Sequence, residues 1–356
     1  MIVFGAPRRY IQGPNLIETI GKELSGLGSN IVLIADDHVM RIVEPSVSKS
    51  CAEAGLKLMP MTFGGEITYA EVDRLYNLLD GKPVDIVVAA GGGKTIDTGK
   101  LLSRKIGAGF VSVPTVASND SPTSHIAVVY DENHKLVGVE QNKANPELVL
   151  VDTAIIAKAP LELLSAGVGD ALVKRFEVEQ CINAKGKNVF GATSPLSALA
   201  LANTCYDTVR AHTVDAYKAL EKGEPDDHLE KLVEACILMS GLAFESGGLS
   251  VSHGMTRGLS AIDGVASALH GHQVAYGLLV QLVLEGRDEA FMDDMRQFYR
   301  DAKLPLKLVD LGRKGQSNSD IETIAELSAA APHMVKFDKP VGKDDIVRAI
   351  IEIEQA

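Results

Sequence analysis

Three residues of metal-ligand type stand in the second half of this 356-residue sequence: Asp170 in AGVGDALVKR, His253 in SVSHGMTR and His270 in SALHGHQVAYG. One carboxylate and two neutral imidazoles suit zinc, leaving the cation a net charge of about +1 and room for a substrate oxygen. Such a centre polarises an alcohol and stabilises the alkoxide that forms as hydride leaves. The 17-residue step between the two histidines does not by itself bring the three together. Asp170 as a helix cap, and each histidine as a satisfied structural residue, are the competing readings. His272 follows two residues after His270, on a different face of any helix, and is expected behind the ligands or at the surface.

A second constellation is DIVVAAGGGKTIDTGK. Residues 86–90 read as a buried strand, too short and β-branched for a helix. Thr95 onward reads as a helix start with Asp97 in its first turn. The glycines at 91–93 let backbone approach something that a Cβ would block, and a helix N-terminus favours an anion, so a phosphate is the natural guest. A P-loop would need glycine where Val88 stands, and a dinucleotide fingerprint of the GxGxxG type needs glycine or alanine where Ile96 stands. The competing reading is a tight turn without a ligand.

Two further places carry polar groups at strand ends. Asp36 closes the strand NIVLIAD, where an acid can accept hydrogen bonds from a ribose and repel a 2′-phosphate, or simply cap a helix. In SVPTVASNDSPTSH, residues 112–125, hydroxyl side chains crowd around Asp120. That carboxylate could grip a polyol; a Ser/Thr/Asn/Pro turn cluster explains the composition equally well.

The elements that position these residues fall into two kinds. Up to Pro160 the sequence alternates. NIVLIAD is a strand, HVMRIVEPSVSKSCAEAG a helix interrupted near Pro45, LKLMPMTF a strand, YAEVDRLYNLLDG a helix and GFVSVPT a strand. SHIAVVYDENHKLVGVEQ is a hairpin with its turn at residues 131–133. This pattern predicts a mostly parallel sheet covered by helices. From Leu161 on, long stretches carry helical periodicity and almost no strand signal. We therefore expect an α/β nucleotide-binding domain over 1–160 and an all-helical metal-binding, catalytic domain over 161–356, with the ligand in a cleft between them. RKGQSNSD, residues 313–320, is expected to be a loop.

Composition narrows the function classes. With 46% hydrophobic residues the chain can bury a large core, yet no apolar run is long enough to span a bilayer. A net charge of −12 argues against nucleic acid or an anionic membrane as partner. The four cysteines are scattered without a CxxC pair, and no signal pattern opens the chain, so a cytoplasmic enzyme is expected.

Several stretches in the same order resemble the zinc-dependent glycerol dehydrogenases of the iron-containing (group III) alcohol dehydrogenase superfamily. They are GGGKTIDTGK, PTVASNDSPTS, NPELVLVDTAIIAKAP, GVGDAL and LHGHQVAYGLLVQLVLEG. The resemblance implies the dehydroquinate synthase-like architecture and reversible, NAD-dependent oxidation of glycerol to dihydroxyacetone. It implies that the triple glycine approaches the NAD pyrophosphate, Gly93 and Lys94 bind the dinucleotide, and Asp36 holds the adenine ribose. Thr115 and Ser118 then contact the cofactor, and Ser124, Ile126 and Tyr130 line the nicotinamide side. Asp120 matches the substrate aspartate, while Asp170, His253 and His270 match the ligands of one zinc ion per chain, at which the polyol binds. A homo-oligomer, often an octamer, is implied as well.

The departures matter. Iron-dependent members carry histidines where this chain has Lys174 and Arg257, which favours three-ligand zinc. Glycerol dehydrogenases often have glutamate at His272 and histidine at Thr256, which bears on the choice of polyol. Glycerol-1-phosphate dehydrogenase and dehydroquinate synthase share the architecture, and their phosphorylated substrates would need cations such as Lys174, Arg175 and Arg257. A non-catalytic NAD-binding sensor is the alternative from another class.

Overall fold

The alternating first half forms six parallel strands in the order β1-β8-β5-β4-β2-β3 in the computed structural model, which describes residues 1–132, 136–315 and 317–356. They are β1 (Tyr10–Gly13), β2 (Asn30–Ala35), β3 (Lys57–Thr62), β4 (Ile86–Gly91), β5 (Gly109–Pro114) and β8 (Leu148–Asp152). Between β5 and β8, β6 (Ile126–Tyr130) pairs antiparallel with β7 (Leu136–Gln141) as a separate hairpin. Of the expected turn at 131–133, Asn133 lies outside the described residues.

Side chains one apart on a strand face opposite sides, and the core divides accordingly. Ile31, Leu33, Val88, Val111 and Leu150 pack on one face with Val39, Val43 and Val47 of the helix Asp37–Glu53. Val32, Ile34, Val87, Ala89 and Phe110 pack on the other with Ile96 and Leu102 of the helix Gly93–Ile106. The helix Asp37–Glu53 runs unbroken through Pro45, contrary to the expected interruption. Its apolar stripe is anchored on the sheet, and such packing outweighs one missing hydrogen bond.

The chain separates into two units. One comprises Gly5–Ala159 with Ala219–Val233; the other comprises Met1–Phe4, Pro160–Lys218 and Glu234–Ala356. Ala219–Val233 belongs with the sheet because Glu230 accepts hydrogen bonds from Gln12 and Thr153. The second unit is built from helices, and the described residues after Leu161 form no strand beyond an isolated bridge between Thr193 and Ile2. Part of the expected loop at 313–320 is helix: Ser317 caps the helix Asn318–Ala329. No single helix among the described residues is long and apolar enough to cross a membrane.

Candidate active site

Glycine decides how closely helices approach, and here it sits beside the metal-ligand residues. A Cβ at Gly271 would lie 1.8 Å from the Ala166 carbonyl oxygen, and one at Gly277 2.4 Å from that of Ser252. The helix His270–Glu285 therefore touches both the helix Leu161–Leu172 and the helix Val251–Leu259 backbone to backbone. Asp170, His253 and His270, one from each helix, converge so that their ligand atoms all lie within 4.8 Å of one another. The cluster runs from the buried Asp170 through the half-buried His253 to the exposed His270.

The donor set fits a divalent metal. Asp170 Oδ2 is buried without a hydrogen-bond partner, a state that is costly unless something electropositive occupies its lone pairs. Glu177 prepares His253: its Oε2 stands 2.6 Å from Nδ1, and its Oε1 accepts the backbone N–H groups of Ser250 and His253, each at 2.9 Å. A carboxylate on Nδ1 leaves Nε2 as the nitrogen for a metal. Lys174 reaches into the same cluster, with Nζ 2.7 Å from Asp170 Oδ1 and 3.5 Å from His253 Nε2.

Charge balance follows from this packing. Burial would raise the Asp170 carboxyl, but Lys174 and the two imidazoles hold it well below the usual carboxylate range. Burial opposes ionisation of Glu177 too, yet His253 and Lys174 bring it down to about 2. For His253, burial is outweighed by Glu177 and Asp170, so its imidazolium persists up to about 9 without a metal. Although the residue as a whole is exposed, desolvation of the His270 ring pushes it below its ordinary value, with Asp170 opposing and His253 assisting.

The other unit carries the residues expected to hold a dinucleotide. β2 pairs with β4 in the register Ile34↔Ala89, and the helices after these two strands pack on opposite faces of the sheet. Strand order reverses there, and such a switch point opens a crevice at the carboxyl ends of the strands. Asp36 stands at one lip, capping the helix Asp37–Glu53 through hydrogen bonds from His38 and Val39 to Oδ1. Gly93 and Lys94 stand at the other; the helix begins at Gly93, two residues before the expected Thr95. A Cβ at Gly93 would lie 2.8 Å from Asn119 Nδ2, so a larger residue would push that side chain aside. Lys94 pairs with Glu66 at 2.7 Å.

Thr115 donates its N–H to the Gly91 carbonyl, and Ser118 Oγ accepts from Asn119. Asp120 opens the short turn Ser121–Thr123. Ser124 and Ile126 are buried, and Tyr130 follows at the end of β6, its hydroxyl pKa raised by burial. Sequence reasoning passed over Lys100, which is 1% exposed and ties this segment together. Its Nζ lies within hydrogen-bond distance of Asp97 Oδ1, Ser121 Oγ and carbonyl, Ser124 Oγ and the Ile126 carbonyl. Asp97 and Lys100 stand three apart on a helix, a spacing that signals such a pair. Glu177 was missed likewise, although it stands seven residues, two helical turns, after Asp170.

The remaining flagged residues have local partners. His272 meets Ser165 at 3.2 Å, Thr256 donates to the His253 carbonyl, and Arg257 donates to that of Ala330. Arg175 lies over the Tyr206 ring at 4.6 Å.

Comparison with known proteins agrees with this layout. Residues 7–153 match the model of the iron-containing alcohol dehydrogenase family. A glycolaldehyde reductase of Halobacterium salinarum is 36% identical over 94% of this chain and 93% of its own length. A glycerol dehydrogenase of Thermotoga maritima is 36% identical over 97% of this chain and 94% of its own. The crystal structure of a probable glycerol dehydrogenase from Sinorhizobium meliloti superposes with a TM-score of 0.92 at 34% identity, covering 100% of this chain and 98% of that one. With its parallel sheet, its helical second unit and relatives of this similarity over nearly their whole length, the chain is an oxidoreductase of the iron-containing alcohol dehydrogenase family.

Proposed function

We propose that the protein oxidises glycerol at its secondary carbon to dihydroxyacetone, reversibly, with NAD as hydride acceptor and one zinc ion per chain. The observation that carries this reading is the convergence of Asp170, His253 and His270 around an unpartnered carboxylate oxygen. The glycerol dehydrogenases among the relatives support it. Zinc held by these three residues supplies a Lewis acid that lowers the pKa of an alcohol, and NAD supplies the acceptor. Glu177 keeps the His253 ring in its tautomer and orientation. Gly93, Lys94 and the N-terminus of their helix bind the dinucleotide diphosphate, and Asp36 takes the adenine ribose hydroxyls. Thr115 and Ser118 contact the cofactor, and Ser124, Ile126 and Tyr130 line its nicotinamide side. Asp120 orients the polyol or relays its proton. A vicinal diol has two oxygens with which to fix its orientation; a simple alcohol has one and is the poorer substrate.

A second reading has a specific relative behind it, the glycolaldehyde reductase. Its substrate also carries adjacent oxygens, and the same site run in reverse would reduce it. Phosphorylated substrates are disfavoured, because Lys174 pairs with Asp170, Arg175 stacks on Tyr206 and Arg257 is spent on a backbone carbonyl. The four cysteines are buried free thiols, in keeping with a cytoplasmic setting; light scattering tests the homo-oligomer implied by the resemblance.

The test is NADH formation with glycerol, 1,2-propanediol, 2,3-butanediol and ethanol, alongside NADH consumption with dihydroxyacetone and glycolaldehyde. Ethanol outperforming every diol would overturn the diol reading, and glycerol phosphate displacing glycerol would revive the phosphorylated one. His270→Ala should abolish turnover and lower zinc content while leaving NADH binding intact. Full activity with stoichiometric zinc in that variant would reject the ligand assignment.

A further inference from the structure

The Lys174 ammonium is completely buried beside two of the three proposed metal ligands. An ammonium removed from water needs a counter-ion; here the counter-ion is Asp170, the one carboxylate of the ligand set. We propose that Lys174 is a resident cation of the metal site, holding Asp170 in place when no metal is bound and displaced when one enters. This inference rests on the metal reading above and adds to it a residue that sets how tightly the metal is held.

The geometry supports exchange of one cation for another. Nζ lies 2.7 Å from Asp170 Oδ1 and 3.5 Å from His253 Nε2, the nitrogen left for a metal, so a zinc ion bound there at about 2.0–2.2 Å would stand close to the ammonium. Two positive charges that close, largely shielded from water, repel strongly. The lysine leaves Asp170 Oδ2 unpartnered, so it meets only part of the demand that a metal would satisfy. The Phe244 ring centroid lies 5.7 Å from Nζ, and an aromatic face accepts a cation, so the ammonium keeps one partner when a metal takes Asp170. Lys174 follows Asp170 by four residues across a nearly continuous helix, which puts the two side chains on one face.

A lysine that merely supports the fold would, on substitution, lower stability and loosen the metal. A resident cation predicts the opposite for affinity. The full-length protein, stripped with a chelator, is compared with Lys174→Met and Lys174→Gln by competition between the protein and a chromogenic chelator for zinc, and by thermal unfolding with and without zinc. We expect zinc to bind at least tenfold more tightly to either variant than to the wild type. The metal-free variants should melt below the metal-free wild type, and zinc should close that gap. Glutamine keeps a donor for Asp170, so it carries the test if the methionine variant does not fold. Wild-type protein that binds zinc, with variants that bind it equally or less tightly, overturns the role of Lys174 alone. Absence of zinc uptake by wild type and variants overturns the metal reading together with it.

Discussion

Glu177 Oε2 stands 2.6 Å from His253 Nδ1, while the other oxygen of the same carboxylate holds the first turn of the histidine's own helix. One side chain thus fixes both the ring and the backbone that carries it.

Glu177→Gln should weaken zinc binding by about 10–100-fold, the usual effect of losing such a partner. An amide NH2 facing Nδ1 forces the imidazole to donate from Nε2, the nitrogen needed for the metal. Turned the other way, the NH2 meets two backbone N–H groups. Zinc content after dialysis checks this; unchanged content would mean that the carboxylate does not set the tautomer.

Asp36 has two roles that substitutions can separate. Asp36→Asn keeps the helix cap and removes the charge, so the preference for NAD over NADP should narrow about tenfold, or 1.4 kcal/mol, with little change in Tm. Asp36→Ala should show the same narrowing and lose about 1 kcal/mol of stability with the cap. Ratios of kcat/KM for the two cofactors, together with Tm, decide it. Wild-type protein that works equally with NADP would contradict the assignment.

Lys100→Met removes a buried cation that five acceptor atoms surround. An ammonium has only three protons, so some of these contacts share one, and the loss falls on the whole segment. Leaving the buried Asp97 charge without its cation should cost about 3–5 kcal/mol in urea unfolding. NADH titration should show weaker binding, with zinc content unchanged because the metal residues lie in the other unit.

Without metal, the pair also sets a pH optimum for stability. Glu177, lowered from 4.5 to about 2, contributes stability that is present above 4.5 and lost as pH falls through about 2. His253, raised from 6.5 to about 9, contributes stability that is present below 6.5 and lost as pH rises through about 9. His270 and His333, the residue that opens the short turn Met334–Lys336, are both pushed down from 6.5 by burial, so they withdraw stability as pH falls below that value. The Tm of metal-free protein should therefore peak near pH 6.5. A Tm that keeps rising toward pH 9 would contradict the pairing of His253 with Glu177.

Much of this was legible in the sequence where the controlling physics is local. The strand at 86–90 was apparent from its β-branched run, and it extends by one residue to Gly91. Pro45 misled, because a rule about one lost hydrogen bond cannot weigh the apolar stripe of Val39, Val43 and Val47 against it. Asp36 left a ribose ligand and a helix cap as alternatives; the structure places it as a cap, with both bonds on Oδ1.

By itself the sequence determined the alternation of strands and helices, the all-helical second half and the residue types able to bind a metal, since periodicity and side-chain chemistry are properties of short segments. Only the tertiary structure decided that β2 lies beside β4, placing Asp36 and Gly93 on the two lips of one crevice. It alone brought Asp170 to His253, 83 residues away, and showed Lys174 and Glu177 among them. The entropy of closing a long loop changes only slowly with its length, so spacing along the chain says little about which distant residues meet. That is settled by how closely helices can pack, here by the missing side chains of Gly271 and Gly277.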